Sequence, residues 1–401
     1  MSDFFQNGVI TTLHRLNREN KATLEQELMR YARARPIALV LPALFSELEG
    51  EALPKIVEAL SAVPYLRQIV ITMGQTDAKQ FEYAREFFSQ LPQEKVIIWN
   101  DGPRLTSLYK AIKEEFGHFD KGKGLSAWMA YGYVLASRKS QVIALHDCDI
   151  LTYDTEMLAR LCFPIASTRL NYEFCKGHYS RVTDRLHGRV TRLFVTPLIR
   201  ALIQMLGSTA FLVYLDSFRY PLAGEFAMVA DLAWRNRIPS DWGLEVGVLA
   251  EVYRNCTLNG ICQADLADNY EHKHQELSAE DVSKGLMKMT ADIAKSLFRT
   301  LAGEGVVFSE GFFKSLRTVY VRQAQDAVKR YHDDATINSL FFDRHEEAVA
   351  VEAFADSIKI AGEQTLEDPL GIPLIPNWSR VVSALPDFFD LLLEAVDKDN
   401  T

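Results

Sequence analysis

Four short apolar runs, Ile37–Leu41, Gln68–Thr72, Lys95–Trp99 and Gln141–Leu145, recur through the first part of the chain. Amphipathic helical stretches near 51–62, 77–90, 104–116 and 123–137 separate and follow them. Strands that alternate with helices of this length predict an α/β fold: a mostly parallel, Rossmann-like sheet with crossover helices on its faces. In such sheets ligands gather beyond the carboxyl ends of the strands. Each run here ends in a polar or turn segment: Pro42–Glu47, Met73–Asp77, Asn100–Arg104 and His146–Asp149.

At 401 residues the chain has room for one large domain and a smaller addition. An amphipathic helix over 19–35 makes residues 1–35 a helical lead-in, and 36–276 forms the main domain. Helical periodicity returns near 278–303, 311–332, 342–362 and 377–396, so 277–401 reads as a C-terminal helical extension. Those helices either pack on a partner subunit or complete a single core. A net charge of −9 argues against a nucleic-acid partner and requires a local cationic pocket for any anionic ligand. Five cysteines without a CxxC pair read as reduced thiols of a cytoplasmic protein. The segment Leu198–Leu215 is apolar but carries Arg200, Gln204, Gly207 and Ser208. It is expected to be a buried helix followed by a strand or loop, not a membrane span.

Chemistry concentrates in a few short motifs. Asp147 and Asp149 follow an apolar run and are separated by one residue, so in extended chain they project the same way. Paired carboxylates there suit Mg²⁺ or Mn²⁺, which also takes diphosphate oxygens; a solvated turn is the alternative. His272 and His274 stand in a polar cluster at 268–275, and neutral imidazole is a competent further ligand. In Gly188-Arg189-Val190-Thr191 a glycine frees the backbone while guanidinium and hydroxyl donate to phosphate or carboxylate. Gly224-Glu225 and Gly243-Leu244-Glu245 each place a carboxylate near a glycine, and Lys123 precedes a helix where it can approach a phosphate.

Taken in order, LPAL at 41–44, GKG at 122–124, DCD at 147–149, GRVT at 188–191, PLAGE at 221–225, DWGLE at 241–245 and EHKHQ at 271–275 resemble the glucosyl-3-phosphoglycerate synthase family. Its members are retaining glycosyltransferases of GT-A fold, and the likeness covers roughly 35–276. The resemblance implies that Asp149 and His272 are metal ligands for Mg²⁺ or Mn²⁺, with Asp147 completing the DxD. It implies donor contacts at Pro42, Leu44, Lys123, Asp147, Gly224, Glu225 and Glu245. Gly188, Arg189, Val190, Thr191 and His274 are the acceptor residues it implies, with Asp149, Glu245 and Arg189 carrying catalysis.

The expected reaction is transfer of glucose from UDP-glucose, the nucleotide-sugar donor, to 3-phosphoglycerate, a small anionic acceptor, by a cytoplasmic homodimer. Phe45-Ser46-Glu47 and Thr72–Gln75 depart from the family pattern at the nucleoside end, and His274 replaces a common asparagine. GDP-mannose or another donor with a glycerate-type acceptor therefore stays open. So do an inverting transferase on a larger acceptor, with Glu225 or Glu245 as base, and a sugar-nucleotide-binding scaffold protein.

Overall fold

Every residue from Ile37 to Leu41 is buried, as expected of a strand covered on both faces. The computed structural model describes residues 6, 8–272, 285–371 and 373–401. Its strands are β1 (Thr11–Leu13), β2 (Ile37–Leu44), β3 (Leu66–Gly74), β4 (Glu94–Trp99), β5 (Val142–Leu145), β6 (Phe174–Tyr179), β7 (Phe226–Val229) and β8 (Ile261–Ala267). They form one eight-stranded sheet in the order β1-β8-β6-β7-β5-β2-β3-β4. All neighbours run parallel except β7, which is antiparallel to both β5 and β6. The four expected strands are β2 to β5, with crossover helices at Ala52–Ser61, Ala78–Phe88, Pro103–Phe116 and Lys123–Ser137.

Alternation along each strand builds two core layers. In β2, Ala38 and Val40 face one layer while Ile37, Leu39 and Leu41 face the other. The residues before β2 are not only a helical lead-in. Thr11–Leu13 adds β1 to the sheet beside β8, and the helix Lys21–Tyr31 packs Tyr31 edge-on against Phe163 at 5.6 Å. At the sheet's margins, the Gln6 side-chain amide exchanges two 2.8 Å hydrogen bonds with the backbone N–H and C=O of Thr12. Asn400 does the same for Ile97 in β4, at 3.0 and 2.8 Å.

The segment Leu198–Leu215 departs from expectation in its second half. It forms two helices, Thr196–Leu206 and Ala210–Asp216, rather than a helix and a strand or loop. Thr209 restarts the helix by accepting a hydrogen bond from the N–H of Leu212. Among the described residues no helix is long and apolar enough to cross a membrane.

The C-terminal helices Gly285–Gly303, Glu310–Ile337, Arg344–Glu367, Trp378–Ala384 and Phe388–Asn400 bury their apolar faces in the layer that contains Val40 and Leu145. Tyr320 donates its hydroxyl to the carbonyl of Leu193 at 2.8 Å. Trp378 stacks on Trp128 with ring centroids 3.9 Å apart, and each indole N–H is satisfied, by Pro376 O and Trp128 O. Such a pair couples the last helices to the helix Lys123–Ser137, whose N-terminus enters the functional cavity. Trp378→Ala is expected to lower the unfolding free energy by about 4 kcal/mol in denaturant titration, the cost of a large core truncation, and a loss below about 1 kcal/mol would contradict this packing.

Candidate functional site

The carboxyl ends of β2 to β5 open into a cavity of about 770 Å³. Pro42, Leu44 and Glu47 reach it from β2 and the turn beyond, Thr72 and Gln75 from β3, Asn100 and Asp101 from β4, and Asp147 and Asp149 from β5. Gly188 to Thr191, Gly224, Glu245 and His272 complete the opposite wall. The sequence-derived positions Pro42, Leu44, Lys123, Asp147, Asp149, Gly188, Arg189, Val190, Thr191, Gly224, Glu245 and His272 thus share one cavity. His274 lies outside the described residues.

His272 reaches Asp149 through a backbone device. An antiparallel bridge pairs Ile150 with His272, and Leu151 N–H donates to Glu271 O at 2.8 Å. Nδ1 of His272 then stands 3.4 Å from Oδ2 of Asp149. Asp147 turns to Lys123 instead, with Nζ 2.6 Å from its Oδ1, and the same ammonium lies 3.1 Å from Oε1 of Glu245. Burial pushes the Asp147 carboxyl up, but the Lys123 ammonium beside it wins and holds it below its usual range. Burial also opposes the Lys123 charge, yet Asp147 and Glu245 keep that ammonium protonated well above its ordinary range. His146 beneath them is held neutral, pushed by burial to about 4, and donates Nδ1–H to the Asp147 carbonyl at 2.9 Å.

A divalent cation fits this donor set. Burial, and then the charges of Asp149 and Asp147, push the Glu47 carboxyl up to about 7. A Cβ on Gly224 would sit 2.3 Å from Oδ2 of Asp147, so only glycine leaves the carboxylate its place. Among the described residues no group of three or more His, Cys, Asp or Glu side chains is gathered for a metal. The protein therefore offers a two-residue edge, Asp149 and His272, which suits a hard cation completed by phosphate oxygens and water.

Glu225 is not on the cavity wall, which differs from the expected direct donor contact. It is 1% exposed and accepts 2.7 Å hydrogen bonds from the hydroxyls of Tyr179 and Tyr270. Those two rings stack at 3.7 Å, and burial together with the Asp147 charge raises the Glu225 carboxyl above its usual range. On the opposite face of the sheet Lys176 is buried over the Phe226 ring, its Nζ lacking a hydrogen bond and its pKa pushed down by burial to about 8. Neither tyrosine nor this lysine was flagged by sequence, because isolated residues of those types carry no spacing signal.

The GRVT segment begins at Gly188, with φ of +70°, and passes into a wide π-helical turn, Val190–Val195. Arg189 meets Glu346 at 2.8 Å and Glu347 at 3.0 Å, and Arg192 meets Glu347 at 3.0 Å. Both glutamates belong to the first turn of the helix Arg344–Glu367 and line the cavity. The Thr191 hydroxyl is buried without a hydrogen-bond partner. A binding turn presented this way can take a small anion by guanidinium and hydroxyl donors.

No protein-family model matches the sequence. The glucosyl-3-phosphoglycerate synthase of Persephonella marina is 49% identical over 402 residues, covering 100% of both chains. That of Methanococcoides burtonii is 41% identical over 404 residues, covering 99% of this chain and 98% of its own. The fold is shared with the Mycobacterium tuberculosis glucosyl-3-phosphoglycerate synthase in complex with Mn²⁺, UDP-glucose and phosphoglyceric acid. That structure has a TM-score of 0.51 at 20% identity and covers 74% of this chain and 89% of its own. Mannosyl-3-phosphoglycerate synthase from Rubrobacter xylanophilus has a TM-score of 0.54 at 20% identity, covering 72% and 85%. With two relatives this similar along the whole length and a GT-A fold underneath, the chain belongs to the glucosyl-3-phosphoglycerate synthase family.

Proposed function

We propose that the chain is a metal-dependent retaining glycosyltransferase that moves glucose from UDP-glucose to 3-phosphoglycerate. The observation that carries this reading is the approach of His272 to Asp149 at 3.4 Å, inside the cavity that also holds the GRVT turn. Support for the substrates comes from the relatives' names and from the complex of the Mycobacterium tuberculosis enzyme with UDP-glucose and phosphoglyceric acid. Mg²⁺ or Mn²⁺ at Asp149 and His272 would neutralise charge on the departing diphosphate.

The chain's own groups do the aligning. Lys123 ties Asp147 to Glu245, so a carboxylate only 7% exposed is held where a donor sugar's hydroxyls can bond to it. Arg189 and the unpartnered Thr191 hydroxyl hold the acceptor's anionic end. The acceptor hydroxyl forms its bond to the anomeric carbon on the face from which the diphosphate leaves, and its proton passes to a diphosphate oxygen. Positioning and electrostatics supply the acceleration.

The functional unit in this reading is the whole chain rather than 36–276 alone, because Phe341, Glu346 and Glu347 of the C-terminal region line the cavity. Part of the same proposal is a cytoplasmic homodimer. Five free cysteines support a reducing compartment, and sedimentation of the purified chain tests the assembly. GDP-mannose is the competing donor, since Thr72 and Gln75 at the cavity depart from the family pattern. Turnover with GDP-mannose and none with UDP-glucose would replace the donor assignment.

Asp149→Ala is expected to lower kcat on the order of 10³-fold in folded protein, the scale of losing one electrostatic stabiliser; near-normal turnover would defeat the reading. Chelation by EDTA should abolish activity and added Mg²⁺ or Mn²⁺ should restore it. Arg189→Ala should raise the acceptor KM roughly tenfold or more while leaving the donor KM alone, the cost of a charged hydrogen bond.

A further inference from the structure

We infer that Arg181 is a second acceptor-binding residue, whose guanidinium takes an anionic group of the acceptor beside the Gly188–Thr191 turn. The inference rests on the acceptor site proposed above. Arg181 follows β6 and lines the cavity. Its carbonyl accepts from His187 N–H at 2.9 Å and Val182 bridges to Leu186, so a tight hairpin delivers the chain straight into Gly188. One guanidinium N–H donates to the Tyr220 hydroxyl at 3.1 Å, and that same hydroxyl lies 3.2 Å from where a Cβ on Gly188 would be. Arg181 and the acceptor turn therefore flank a single phenol.

Charge separates Arg181 from its neighbours. Arg189 and Arg192 are matched by Glu346 and Glu347, Arg185 by Asp184, and Lys123 by Asp147 and Glu245. Among the described residues Arg181 makes no ion pair, and its Nε is buried without a hydrogen-bond partner. The titratable groups around it are the phenols of Tyr220, Tyr179 and Tyr270. A half-buried cation without a counter-charge is destabilising, so its place at a cavity wall points to a ligand that supplies the missing negative charge. A guanidinium matches phosphate or carboxylate through two parallel N–H bonds. 3-Phosphoglycerate carries one group of each kind. Two arginines can then hold its two ends, and the uncompensated one attracts it more strongly.

Steady-state kinetics of Arg181→Met and Arg181→Lys, with each substrate varied in turn, test this. Arg181→Met should raise the 3-phosphoglycerate KM on the order of tenfold to a hundredfold, the range for a lost charge-assisted hydrogen bond. The donor KM should stay within about twofold, and Lys should recover part of the loss by keeping charge without the planar fork. A purely structural arginine would lower Tm when replaced. Removal of a half-buried, unpaired charge should instead leave Tm unchanged or raised, and 3-phosphoglycerate should stabilise the wild type more than Arg181→Met. A rise in donor KM alone would assign the residue to the nucleotide diphosphate and overturn the inference, as would an unchanged acceptor KM. Should Arg181→Met not fold, Arg181→Lys with an unaltered acceptor KM would overturn it equally. Arg189→Ala run alongside separates the two levels. No effect in either variant removes the acceptor site itself, whereas an effect at Arg189 alone removes only the role of Arg181.

Discussion

A single antiparallel bridge, Ile150 to His272, fastens the chain beyond β8 onto the chain beyond β5. Most of the cavity's chemistry depends on it. The bridge sets His272 beside Asp149, and Tyr270, two residues earlier, stacks on Tyr179 and bonds the buried Glu225. The antiparallel β7 makes this possible. It lies between β5 and β6 and starts at Phe226 opposite Leu145, so Glu225 sits at the carboxyl end of β5 next to the DxD. Rigid backbone, not side-chain reach, brings Asp149 and His272 together.

The second constraint is charge compensation in a chain of net charge −9. Lys123 serves two carboxylates at once, which leaves Asp149 as the DxD oxygen donor not tied to that lysine. Beside the Gly188–Thr191 turn the C-terminal helices bring Glu346 and Glu347 to Arg189 and Arg192. Glu347 is 6% exposed and holds both arginines, whereas Glu346 lies largely in solvent. The C-terminal helices thereby shape the site as well as the core.

The parallel half of the sheet was legible because β2 to β5 are apolar runs separated by helical periodicity. β6 and β8 were not, since Lys176, His178 and Gln263 are buried within them and break the hydrophobic pattern that marks a strand. β7 is only four residues long and β1 three, too short to show a period. Cavity-lining residues on motifs with fixed spacing, such as Asp147, Asp149, Gly188 and Arg189, could be picked out directly. Glu47, Arg181, Glu346 and Glu347 could not, because their significance arises from neighbours distant in sequence. Glu225 was noticed but misplaced: an acidic residue next to a glycine gives no sign that two phenols will bury it.

Strands at the two margins of a sheet ordinarily offer unpaired peptide groups to any passing chain. Here Gln6 and Asn400 each present a primary amide to the outward-facing peptide groups of Thr12 and Ile97, imitating one more strand without providing one. The peptide groups of these two residues are thereby closed to pairing with another strand. At Thr12 and Ile97 the sheet thus ends on side chains of its own chain, and its width is set from within.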